Sequence, residues 1–125
     1  MTPQQDIQTR LTQALRAALR DRNQAATAAL RSALAAIANA ETVDPAGPPA
    51  RPASSEHFAG AAAGLRAAEV ARKELTEAAE RDIVRAEIAD REVAASQYLH
   101  GGHAARADRM RAEIAVLAAI LADES

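Results

Sequence analysis

The sequence contains no cysteine and no tryptophan, and it has only one phenylalanine and one tyrosine. The absence of cysteine excludes disulfides, thiolate metal sites and cysteine nucleophiles, and it favours a cytoplasmic location. No apolar run approaches the roughly 20 residues that a membrane helix requires, and the N-terminus shows no apolar signal-peptide core. We therefore expect a cytoplasmic protein that does not associate with membranes.

Alanine is the most abundant residue type, with 36 of 125 positions, whereas leucine, isoleucine and valine together supply 21. Alanine has the highest helix propensity, and a chain poor in β-branched and aromatic residues does not readily build sheets. The composition predicts an all-α fold, a small helical bundle with a thin core, in a single domain over residues 1–125.

The hydrophobic pattern predicts an N-terminal helix pair over residues 4–41. The first helix, 4–20, carries an apolar row at i+4 spacing: Ile7, Leu11, Leu15 and Leu19. The second helix carries a row that ends in a carboxylate: Thr27, Leu30, Leu34, Ile37 and Glu41. The Asp-Arg-Asn sequence between the two helices supplies a turn and an N-cap.

Four prolines at positions 45–52 interrupt the helical pattern, so residues 42–64 are predicted to be a Pro/Gly/Ala-rich linker. Residues 65–99 are predicted to form a short helix, 65–74, and a long helix, 77–99, with Thr76 as its N-cap. The final helix is expected over residues 103–122. A short Gly-Gly connection between two long helices is typical of an antiparallel helical hairpin.

The sequence Tyr-Leu-His-Gly-Gly-His, residues 98–103, allows three interpretations. A zinc site would need three or four ligands, and beyond His100 and His103 the chain has one further histidine, His57. A phosphate-binding loop would need a strand before the glycines and a Lys-Ser/Thr pair after them. We favour a helical turn in which Gly101 or Gly102 adopts a left-handed conformation, and we expect no metal and no cofactor.

The charge is distributed unevenly. Residues 7–40 carry five arginines and one acid, a net charge of +4, whereas residues 41–125 carry 10 basic and 15 acidic residues, a net charge of −5. The favoured interpretation is that the basic segment packs against the acidic one; the alternative is a surface for nucleic acid or an acidic partner. The candidate contacts for that surface are Arg16 and Arg20, opposite the apolar row, and Arg10 at its flank.

Residues 74–121 resemble the YqeY family, the GatB/YqeY-domain proteins. The resemblance rests on a basic residue seven positions before an aromatic, a glycine turn, and an Ala-Glu-Ile helix with an aliphatic end, and it extends to residues 7–41. The matching positions are Arg91, Tyr98, Gly102 and Glu113, with Arg31 and Glu41 in the N-terminal part. Two features depart from the family: His103 stands where an arginine is usual, and we expect the family's second, tail-like helical domain to be missing.

The resemblance implies a non-catalytic helical accessory or adaptor module linked to the tRNA-dependent amidotransferase that amidates Glu-tRNA or Asp-tRNA. Carbon-nitrogen ligation with glutamine as amido donor would belong to that system and not to this chain, because the sequence shows no catalytic constellation. The expected partners are amidotransferase subunits or tRNA. The alternative is a structural or self-associating helical protein, a homo-oligomer without an amidotransferase role.

Glu41 ends the row of the second helix, and Arg91 lies within the row of the long helix, which also contains Val84, Ile88, Ala95 and Tyr98. Because an unpaired buried charge is expensive, each must find a partner or reach solvent. We propose an ion pair between the two; the alternative is that each reaches solvent or pairs with a residue on its own helix.

Overall fold

A computed structural model describes residues 6–42 and 75–122, and within these ranges the protein is a small all-α bundle. The described residues form four helices: α1 (Ile7–Arg20), α2 (Gln24–Thr42), α3 (Glu77–His100) and α4 (Ala104–Ala122). The predicted all-α fold is confirmed. The expected helix over 65–74 and most of the expected linker lie outside the described residues.

The chain divides into two compact units, Met1–Ile37 with Thr76–Ser125, and Ala38–Leu75. Of the second unit, the described residues are the last turn of α2, residues 38–42, and Leu75. Within the described ranges, none of the helices combines the length and apolarity needed to cross a bilayer.

Local capping sequences set the helix starts. The carboxylate of Asp6 accepts a hydrogen bond from the Thr9 amide at 2.8 Å, so α1 begins at Ile7 and not at residue 4 as expected. The hydrogen bonds from Thr9 hold the pKa of Asp6 below its usual value. The predicted N-cap Thr76 is confirmed, because its hydroxyl accepts from the Ala79 amide at 3.0 Å. Asn23 accepts from the Ala26 amide at 3.1 Å and caps α2 in the same way.

Helices α1 and α3 end in the same backbone motif. At the end of α3, the His103 amide donates to the Tyr98 carbonyl at 2.8 Å and the Gly102 amide donates to the Leu99 carbonyl at 3.1 Å. These two bonds define a Schellman motif, which requires a left-handed residue, and Gly102 has φ +83°. The predicted helical turn with a left-handed glycine is therefore confirmed.

Replacing Gly102 by alanine is expected to lower the free energy of unfolding by about 1 kcal/mol, because a Cβ disfavours positive φ. No atom lies within 4 Å of the position that this Cβ would occupy, so the loss is a backbone effect without a steric clash. The matched control is Gly101→Ala, since Gly101 has φ −85°. Urea unfolding should show Gly102→Ala clearly destabilised relative to Gly101→Ala, and equal stabilities would contradict a conformational role for Gly102.

The core of the first unit lies where α3 and α4 pack on one another and α1 contacts both. Its largest fully buried side chains come from all four helices: Ile7, Leu11, Leu30, Ile37, Val84 and Leu117. The predicted apolar row of α1 is only partly buried, because Leu19 is 47% exposed. Each step of four residues rotates by about 400°, which is about 40° more than a full turn. The row from Ile7 to Leu19 contains three such steps, so it drifts by about 120° around the helix.

Candidate functional site: an ion network and an arginine surface

An ion network lies between α3 and α4. The Arg91 Nε donates to Glu113 Oε1 at 2.8 Å, and the Arg91 Nη1 donates to Glu87 Oε1 at 2.9 Å. The same Nη1 also reaches the Glu87 carbonyl oxygen at 3.0 Å. Glu113 is 5% exposed, so its charge depends on these partners for stabilisation.

Two further residues extend the network to three helices. Arg109 on α4 donates its Nε to Glu113 Oε2 at 2.9 Å, so each carboxylate oxygen of Glu113 receives one guanidinium. On α2, the Ser32 hydroxyl donates to Glu87 Oε1 at 2.5 Å. We call these five residues the three-helix ion network: Ser32, Glu87, Arg91, Arg109 and Glu113.

The network provides the partners that the charge of Arg91 requires in its otherwise apolar row. Burial by itself lowers the pKa of Arg91, but the hydrogen bonds to Glu113 and Glu87 outweigh it, and the pKa is raised above its ordinary value. Arg91 therefore stays charged with two carboxylates as partners, neither of which is the expected Glu41. Glu41 lies in the second unit, so an ion pair between it and Arg91 stays a prediction.

Arg10 is not a surface contact, which corrects the expectation that it flanks an exposed basic face. It is 8% exposed, and its Nη1 donates a hydrogen bond to the Ile120 carbonyl in the last turn of α4. The last carbonyls of a helix have no partner within the helix and carry its partial negative charge. Because α4 has no basic residue in its own last turn, Arg10 supplies the cation from α1.

Three arginines on α1 and in the turn that follows it are exposed, and we call them the α1 arginine surface: Arg16, Arg20 and Arg22. Arg16 and Arg20 lie one helical turn apart on α1, on the solvent face that the sequence predicted. Arg22 follows in the turn to α2. Within residues 6–42 and 75–122, none of the three takes part in an ion pair.

The arginines of the α3–α4 pair are arranged differently. Five of them bind a carboxylate within 4 Å: Arg81, Arg85, Arg91, Arg109 and Arg111. The sixth, Arg106, lies 5.9 Å from the centroid of the Tyr98 ring. The favoured sequence interpretation, mutual neutralisation of the basic and acidic segments, therefore does not describe Arg16, Arg20 and Arg22.

A polar depression of about 340 Å³ borders the α1 arginine surface. The described residues that line it all carry hydrogen-bonding groups: Asp6, Gln8, Thr9, Thr12, Gln13 and Arg16. Among these, the carboxylate of Asp6 is occupied in capping α1. Amide and hydroxyl groups next to arginines can contact sugar hydroxyls and phosphates, which is a chemistry suited to a nucleic-acid backbone.

The two histidines of the glycine turn have structural neighbours. The His100 Nδ1 lies 2.8 Å from the Ser96 carbonyl oxygen, and the His103 ring meets the Tyr98 ring edge to face, with the centroids 6.3 Å apart. In the described part of the chain, no group of three or more His, Asp or Glu residues is placed to hold a metal ion. His57 lies outside the described residues.

The residues that match the YqeY pattern do not all come together. Arg91 and Glu113 form the centre of the ion network, while Tyr98 and Gly102 lie at the turn between α3 and α4. Arg31 is exposed on α2, and Glu41 is half-buried near the end of that helix. Of the matched positions, Arg91 and Glu113 thus form an ion pair, and Tyr98 and Gly102 belong to one turn.

Three charged residues have roles that the sequence pattern does not predict. Glu80 and Arg10 are buried, although Arg10 was expected at the surface. Arg22 has φ +55° at the position where a glycine is usual, and the pattern does not single it out. The sequence does contain a signal for Arg22, because an arginine and not the usual glycine follows Asp21 at the end of α1.

Fold and site together define a small helical-bundle protein with a structural ion network and an arginine surface that no carboxylate of the described residues neutralises. Comparisons with protein-family models, with curated proteins and with solved structures give no match for this chain. The YqeY resemblance therefore rests on the residue pattern alone.

Proposed function

We propose that this chain is a non-catalytic helical accessory module that binds RNA, with tRNA of the amidotransferase system as its target. The observation that carries the proposal is the α1 arginine surface, where Arg16, Arg20 and Arg22 are exposed and no carboxylate of the described residues pairs with them. The link to the amidation of Glu-tRNA or Asp-tRNA comes from the resemblance to YqeY proteins.

Electrostatics supports a polyanionic target. Guanidinium groups bind phosphate in a bidentate manner, and Arg16 and Arg20 are spaced by about 6 Å along the helix axis, close to the spacing of successive phosphates. Each contact with a phosphate releases counterions, which provides affinity without sequence recognition. The only tyrosine and phenylalanine are Tyr98 and Phe58, so the chain has few aromatic platforms for reading unstacked bases. The expected binding is weak and independent of sequence.

The test is a titration of fluorescently labelled tRNA at several salt concentrations. For the wild type, log affinity should fall with log salt at a slope near −2 to −3, as expected for about three phosphate contacts. In the double variant Arg16→Gln, Arg20→Gln the slope should become shallower by about 2. The reason is that each glutamine removes one counterion-releasing contact.

The matched control is Arg85→Gln, Arg106→Gln, which changes the net charge by the same amount on α3 and α4. It should retain the wild-type slope, because these arginines lie outside the α1 arginine surface. Equal slopes for all three proteins, or no binding of tRNA at low salt, would refute RNA binding by this surface. Copurification of an amidotransferase subunit without RNA would then favour the protein-adaptor role.

A further inference from the structure

A groove follows the outer side of the α3–α4 pair, and it is formed by residues that the proposed RNA-binding surface does not use. It encloses about 430 Å³ and is lined by Glu92, Ala95, Ser96, Leu99, Arg111 and Ile114. We call it the hairpin groove. Leu99 is 49% exposed, which is a large apolar exposure for a residue on a packed helix.

The hairpin groove carries one charge of each sign. Glu92 projects from α3, and it takes part in no ion pair of the described residues. Arg111 projects from α4 and pairs only weakly with the exposed Asp108, at 3.3 Å. The neighbouring contact between Arg91 and Glu113 fixes the register of the two helices. Glu92 and Arg111 therefore stand at about the same level on opposite sides of the groove.

Because Glu92 and Arg111 carry opposite charges, the groove of one copy is complementary to the same groove of another. We propose that the hairpin groove binds a second copy of this chain. A two-fold axis parallel to α3 and α4 places α3 of one copy over α4 of the other. Glu92 of each copy then meets Arg111 of its partner, twice in the same interface. A two-fold axis across the helices would instead set Glu92 against Glu92 and Arg111 against Arg111, so the charges select one orientation.

The outer face of α4 continues the groove with small side chains. Ala115, Ala118 and Ala122 are exposed and recur at helical spacing. Small residues allow a second helix to approach closely, and two helical hairpins that meet in this way form a four-helix bundle. The dimer would bury Leu99, which the single chain leaves half exposed. Because the groove is short, the association belongs to the small, reversible class of interfaces.

The test uses charge reversal in the full chain, with mass measured by sedimentation equilibrium from about 10 to 500 µM, a range that lies within the micromolar to millimolar dissociation constants of weak complexes. The wild type is expected to pass from monomer to dimer over this range. Glu92→Arg alone and Arg111→Glu alone should each remove the dimer, since each places like charges opposite one another. The double variant carrying both reversals should restore it, because the two pairs are simply exchanged.

Circular dichroism of each variant establishes that it has folded, and Leu99→Lys provides a variant that tests the apolar part of the groove without the charge pair. A wild type that stays monomeric at every concentration would overturn the proposal. A dimer that survives both single reversals would also overturn it. Because Arg16 and Arg20 are unchanged in these variants, tRNA binding by the monomer tests the RNA-binding proposal separately.

Discussion

Glu113→Gln is expected to lower the free energy of unfolding by about 3 kcal/mol, the largest effect of any single substitution considered. Glu113 is 5% exposed and accepts from both Arg91 and Arg109. Glutamine has nearly the same shape, but its amide NH2 would face a guanidinium that can only donate. The loss lies at the lower end of the range for a broken buried pair, because Arg91 retains Glu87 as a partner.

The measurement is urea unfolding followed by circular dichroism, and the matched control is Asp108→Asn. Asp108 also pairs with an arginine, but both groups are exposed, so its substitution should change the free energy of unfolding by less than about 1 kcal/mol. For a domain of this size, a 3 kcal/mol loss corresponds to a fall in Tm of roughly 10 °C or more. Similar small losses in both variants would show that the three-helix ion network does not stabilise the fold.

Arg22→Gly is expected to change stability and RNA binding in opposite directions. Arg22 occupies the left-handed position of the Schellman motif at the end of α1, where its amide donates to Leu19 and the next amide donates to Ala18. Relief of the left-handed strain raises the free energy of unfolding by roughly 1–2 kcal/mol. The greater freedom of glycine in the unfolded chain lowers it by roughly 0.5–1 kcal/mol. The net gain in the free energy of unfolding should be about 0.5–1 kcal/mol.

The same substitution removes one cation from the α1 arginine surface, so the salt slope of tRNA binding should become shallower by about 1. Arg22→Ala is the matched control: it removes the charge but keeps the Cβ, so binding should weaken without the gain in stability. A glycine variant that is less stable than the wild type would show that the Arg22 side chain stabilises the turn. Unchanged tRNA binding in both variants would remove Arg22 from the α1 arginine surface.

Opposite signs in this experiment would indicate that Arg22 is retained for binding and not for stability. The equivalent position at the end of α3 is Gly102, which has the same two backbone hydrogen bonds and no strain. A residue that lowers stability where a glycine would not is a candidate for selection by binding. Arg22 lies two residues beyond Arg20, so its charge adds to the surface on which the proposed function depends.

Predictions that depend on a few neighbouring residues agree with the structure. Thr76, Asn23 and Gly102 act within four residues of their own positions, through hydrogen bonds or backbone dihedral angles. The ion pair between Arg91 and Glu87 has the same local character, since i and i+4 lie on one helix face. This pair is the local alternative to an ion pair between Arg91 and Glu41.

The sequence by itself determined the helical class, because alanine is abundant and aromatic and β-branched residues are scarce, and it determined where α2, α3 and α4 end or begin through their caps and turns. Only the tertiary structure decided which charged residues are buried. Arg10 became a cap for the end of α4, and Glu113 became the partner of Arg91, 22 positions away. The reason is that a helical pattern specifies an apolar face only to within a broad angle, whereas a buried charge requires a particular partner. That partner is set by the register and contact of helices that are distant in the sequence.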